Sequence, residues 1–195
     1  MQKLTIVAGL LVAGLAACGS EPGRDDSAAN VAAANGSVSA AAAAPAPVAA
    51  PALVLEGAGI RIPSASPPRT LAFDTAEAET IDVLTKALGR GPTERGENEE
   101  CGGGGMHFAE WKDDLTAWFL DGRFAGWDSK GGLKTLEGIG IGSPRPDLAT
   151  LPGFEVEEST LGTEFRSGGL SGILASKAPD AKVTHLWGGA TCVFR

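Results

Sequence analysis

The apolar positions of this chain change rhythm twice, and the changes divide it into three stretches. Leu4 to Ala17 runs without a charge behind the single basic residue Lys3. That run is too short for a bilayer-spanning helix, which needs ~20 residues. A basic start, an apolar stretch and small residues at its end form the pattern of a secretory leader. From Gly19 to about Ala52 the chain is rich in Ala, Pro, Ser and Gly, with Ala40 to Ala44 followed by Pro45, Pro47 and Pro51. Without large side chains this stretch cannot bury enough apolar area to offset its backbone entropy, so a flexible tether is expected. From Leu53 onward the apolar residues alternate or recur at helical spacing, and the roughly 140 residues that remain suffice for one domain or two small repeats.

Within that last stretch, Leu53-Val54-Leu55 and Ile60-Arg61-Ile62 read as short strands. Ile81, Leu84 and Leu88 fall at helical spacing, with Asp74-Thr75 as the expected N-cap pair and Gly89 as the C-terminal stop. Arg90 to Gly105 reads as a loop. Met106–Trp111, Leu115–Leu120 and Arg123–Trp127 read as an antiparallel meander, and Asp121-Gly122 is a strong hairpin signal.

The second half follows the same plan. Gly138 to Gly142 reads as a strand, and Ser143-Pro144 as a helix start. Leu148 and Leu151 supply a short apolar face before Pro152-Gly153. Strands are expected near Phe154–Glu158, Thr163–Arg166, Gly169–Ala175, Val183–Trp187 and Thr191–Phe194. The predicted fold class is therefore α+β, a tandem of helix plus antiparallel β-meander repeats. The expected boundaries are 1–17 for the leader, 18–52 for the tether, 53–132 for the first repeat and 133–195 for the second.

Three resemblances bear on identity. Leu15-Ala16-Ala17-Cys18 resembles the lipobox of bacterial lipoproteins. The resemblance implies removal of residues 1–17 as a signal peptide, acylation of the Cys18 thiol with fatty acids such as palmitate, and Cys18 as the new N-terminus. Several acyl chains would give stable membrane anchoring, which one chain does not. Gly19 follows the cysteine where an Asp would favour inner-membrane retention, which points to the outer membrane, facing the periplasm. Thr80-Ile81-Asp82-Val83-Leu84 through Gly89-Arg90-Gly91-Pro92 resembles a stretch of the small envelope lipoproteins of the SmpA/OmlA (BamE) type. The serial repeat plan is also similar to that of the β-lactamase inhibitor protein family. Neither of these transfers a functional residue.

Charge narrows the partners. The chain has 16 Lys and Arg against 24 Asp and Glu, a net charge of −8, and loss of Lys3 with the leader makes it one more negative. Such a balance argues against nucleic acid and favours a basic partner. With Cys18 assigned to lipid, Cys101 and Cys192 remain. In an oxidising envelope compartment they are expected to form a disulfide. The competing arrangement is a zinc site completed by His107 and His185, which needs four convergent ligands.

Trp111, Trp118, Trp127 and Trp187 all fall on expected strands. In Leu115–Leu120, Leu115, Ala117 and Phe119 face one way while Trp118 and Leu120 face the other, so both faces are apolar. Packing of the two repeats against each other would bury these rings; a protein-binding surface would leave some of them accessible. Gly102 to Gly105 lacks the Gly-Lys-Ser/Thr of a phosphate loop, and no nucleophile elbow or zinc-protease motif occurs. No cofactor and no catalytic set are expected. The leading expectation is a non-catalytic, membrane-anchored periplasmic lipoprotein that binds or scaffolds an envelope protein. A small periplasmic enzyme or ligand-binding protein using His107 and His185, or an inhibitor of a secreted enzyme, are the alternatives.

Overall fold

A computed structural model describes residues 50–101 and 104–192. The lipobox-like stretch, Cys18 and most of the expected tether lie outside the described residues. The first strands are β1 (Val54–Glu56), β2 (Gly59–Ile62) and β3 (Arg69–Ala72), followed by helix α1 (Glu77–Leu88). Then come β4 (Glu94–Asn98), β5 (Met106–Trp111), β6 (Leu115–Leu120) and β7 (Arg123–Ser129). A one-turn helix α2 (Arg145–Leu148) precedes β8 (Glu155–Ser159), β9 (Gly162–Ser167), β10 (Leu170–Leu174) and β11 (Val183–Gly189).

The strands build two antiparallel sheets. One has the order β1-β2-β3, and the other has eight strands in the order β4-β5-β6-β7-β11-β10-β9-β8. This corrects the expected α+β tandem of helix-plus-meander repeats: the described residues are mostly β, with 44% strand and 11% helix. Two causes are visible. Between Ser143-Pro144 and Pro152-Gly153 only Arg145–Leu148 are helical, so the second half has a single turn and no counterpart of α1. The two meanders also join through the β7–β11 pairing, where Trp127 faces Gly188 and Asp128 faces Trp187, into one continuous sheet.

Other local differences have similar reasons. β3 is a strand because Leu71 pairs with Ile60, although the sequence reads as a lead-in to the helix. β4 contains no large apolar residue, yet it pairs along its whole length with β5. Gly138 to Gly142 is not a strand. Asp74 and Thr75 do not cap α1: Ala76 is the N-cap, without a side-chain bond, and the Thr75 hydroxyl donates back to the Ala72 carbonyl. The backbone of 74–75 is instead held by β7, through Asp74 N–H to Phe124 O and Phe124 N–H to Thr75 O. The Gly89 stop is as expected, in the left-handed region. Asp121 and Gly122 both have positive φ, 50° and 71°, which suits a tight two-residue hairpin turn.

Cross-strand pairing assigns the side chains to faces. Ala109, Ala117 and Trp127 share one face of the large sheet, with Trp111 and Leu115 beside them. Phe165, Leu170 and Leu186 continue it across the other half. These residues form a single buried cluster with Leu55, Ile60 and Leu71 of the small sheet and Leu84 of α1. The small sheet and the helices thus cover one face. The covering is fastened by Trp127, whose Nε1–H points at the carbonyls of Glu56 (3.1 Å) and Gly59 (3.0 Å). A Cβ at Gly188 would lie 2.9 Å from that indole ring. Gly188→Ala is accordingly expected to destabilise by about 1–3 kcal/mol, since the ring is held and cannot step aside. A thermal melt should show the midpoint falling by roughly 3–10 °C; an unchanged midpoint would mean that the ring has slack.

Candidate protein-binding face

The other face of the eight-stranded sheet has a different character. Phe108 pairs with Trp118, and Trp187 pairs with Ser171 and Asp128, which sets these rings opposite to the core side chains. Met106, Leu120 and Ile173 lie on the same side. None of these apolar side chains belongs to the main core cluster. The ring of Phe108 lies 5.6 Å from that of Trp118, and the Trp118 indole N–H donates to the Asp128 carboxylate at 2.6 Å. That bond satisfies the polar edge of the ring and fixes its orientation. Lys130 adds its ammonium 3.1 Å from Asp128 and 3.8 Å from Glu110.

A cavity of about 360 Å³ opens on this face between Trp118, Ile173 and Trp187. Leu161, from the β8–β9 turn, and His185 form further parts of its wall. Thr191 and Cys192, just past β11, close one side. Cys192 is bonded to Cys101, which is buried and follows β4. The expected disulfide is therefore present, and it ties the segment after the last strand to the loop between β4 and β5.

The four tryptophans divide by register. Trp111 and Trp127 are 0% exposed and belong to the covered face, where Trp111 Nε1–H donates to the Arg90 carbonyl. Trp118 and Trp187 stand on the second face; Trp118 is partly exposed and Trp187 nearly buried. The histidines are not brought together. His107 shares the side of Phe119 and sits at the edge of the covering layer, with Nδ1 3.2 Å from Glu77 and Arg95 beside the same carboxylate at 3.3 Å. His185 pairs with Ile173 on the opposite side, and its Nδ1 meets the Thr184 hydroxyl at 3.0 Å. With the two cysteines bonded and the histidines on opposite faces, the four-ligand arrangement does not assemble. No group of three or more metal-ligating side chains occurs among the described residues.

Sequence reading missed Phe108, Ile173, Asp128 and Lys130 as parts of one surface. Alternation places Phe108 opposite to His107 and Trp111, but only the cross-strand register brings it beside Trp118. No family model matches this chain, and no curated protein or solved structure matches it either.

Proposed function

We propose that the protein is an envelope lipoprotein, anchored through acylated Cys18 and facing the periplasm, that binds another protein through the second face of its eight-stranded sheet. The observation that carries this reading is an aromatic and aliphatic surface on the sheet face opposite the one that the small sheet and helices cover. Phe108, Trp118, Leu120 and Ile173 are half-buried on this face, which leaves part of each side chain accessible to a partner. A partly exposed Trp beside a cavity is the residue type that dominates binding energy at interfaces. The fixed Trp118–Asp128 bond favours the same role, because a ring already held in place loses little freedom when a partner docks.

Affinity capture from detergent-solubilised envelopes tests the proposal. The full-length protein is expected to retain the same partner reproducibly, and Trp118→Ala to weaken that capture by about thirtyfold, the scale of a ~2 kcal/mol hot spot. Circular dichroism of the variant should be unchanged. Cys18→Ser should move the protein out of the membrane fraction. Failure to recover any reproducible partner would sink the binding role, and unchanged fractionation of the serine variant would sink the anchor.

A further inference from the structure

The second face carries charge in an order that restricts what can dock on it. Register lines up Glu94, Glu110, Thr116 and Asp128 across the first four strands of the large sheet. The same row continues through Trp187, Ser171, Arg166 and Glu155 to the far edge. Adjacent strands lie ~4.8 Å apart, so the row stretches roughly 34 Å. Within its first half stand three carboxylates; among the described residues the ion pairs made by this half of the row are those of Lys130, which lies between Glu110 and Asp128. Glu94 is the outermost of the three. At the other end Arg166 pairs with Glu157, and Glu155 again ends the row on an acid.

Beside the acidic half runs a second row, Gly96, Phe108 and Trp118. The Phe108 ring lies over Gly96, where a Cβ would come within 2.9 Å of it, so the aromatic surface spreads toward the edge of the sheet. Negative charge and aromatic faces side by side attract the same kind of group, a cation carried on an apolar stem. The cavity of about 360 Å³ next to these rows is at the low end of the ~300 to ~1,000 Å³ of ligand sites and has room for one large side chain.

We propose that the occupant of this face is a protruding loop of the partner protein in which a large apolar side chain is flanked by Lys or Arg. The apolar side chain enters the cavity between Trp118, Ile173 and Trp187, and the cations lie over Glu94 and Glu110 against the Phe108 and Trp118 rings. This rests on the protein-binding reading above and specifies its partner. The chain's net charge of −8 works in the same direction, drawing a basic surface in before contact.

Three terminally blocked tripeptides, Lys-Phe-Lys, Lys-Ala-Lys and Glu-Phe-Glu, test it against the full-length protein in mild detergent, read by tryptophan fluorescence. Lys-Phe-Lys should bind at least about tenfold more tightly than either of the others, and raising salt from low to high concentration should weaken it. The double variant Glu94→Gln, Glu110→Gln should lose the preference over Glu-Phe-Glu, and Trp118→Ala should lose binding of Lys-Phe-Lys. Equal binding of Glu-Phe-Glu would overturn the basic occupant, and equal binding of Lys-Ala-Lys would overturn the anchored side chain. No response to any tripeptide at millimolar concentration would overturn the loop altogether. If envelope capture still depends on Trp118 in those cases, the binding face stands and only its occupant is wrong; if capture fails as well, the reading beneath the proposal fails with it.

Discussion

Replacing Cys101 and Cys192 together by serine is expected to lower the unfolding free energy by about 4–5 kcal/mol, the largest single effect foreseen for this domain. The bridged residues are 91 positions apart, and their Cα atoms lie 5.0 Å from each other. On the chain-entropy account the bridge mainly restricts the unfolded chain, and the restriction grows with the logarithm of the loop. The loop it closes contains β5 to β11, so nearly the whole large sheet lies between its ends. Cys101 is also buried, and a serine there places a hydroxyl in a site built for sulfur. Urea unfolding of the double variant, beside the oxidised and reduced native protein, measures the effect. A loss below ~1 kcal/mol would mean that the unfolded chain keeps these segments close without the bond.

Trp127→Ala is expected to cost about 3–5 kcal/mol, in the range for truncating a fully buried aromatic side chain. Trp127 is 0% exposed, and its one N–H serves two carbonyls of the small sheet. Losing the ring therefore opens a cavity at the junction of the two sheets and removes the polar link between them. Trp127→Phe separates these contributions: much of the volume stays, but the Glu56 and Gly59 carbonyls lose their donor, at about 1–3 kcal/mol. Denaturant midpoints of the two variants decide the matter. If Trp127→Phe matched the native protein, the indole N–H would contribute nothing to holding the small sheet in place. Trp118 offers the contrast within one residue type. The two residues stand on neighbouring strands in adjacent rows, yet Trp118 is partly exposed on the second face and its removal is expected to act chiefly on binding.

Much of the strand content was legible because it rests on short-range chemistry. Asp121-Gly122 favours the backbone of a tight hairpin, and the alternation on either side of it needs no distant partner to be seen. Gly89 stops α1 for an equally local reason. β4 shows where this runs out: Glu94–Asn98 has no apolar pattern, and it is a strand because β5 offers it a hydrogen-bonding edge. Asp74 and Thr75 make a good cap in isolation, but their backbone groups find stronger partners in β7.

The same division holds for the candidate site. Sequence alone placed Trp118 and Leu120 opposite to Leu115, Ala117 and Phe119, because side chains alternate along a strand, and it paired Cys101 with Cys192 by the chemistry of the compartment that the lipobox implies. It could not separate Trp111 and Trp127 from Trp118 and Trp187, since all four sit in equally apolar strands. Tertiary structure made that separation through the β7–β11 pairing, which joins two meanders into one sheet with two faces. The small sheet and α1 then pack on one of them. Which face they take depends on contacts between residues far apart in the chain, and no local pattern of apolar and polar positions encodes them.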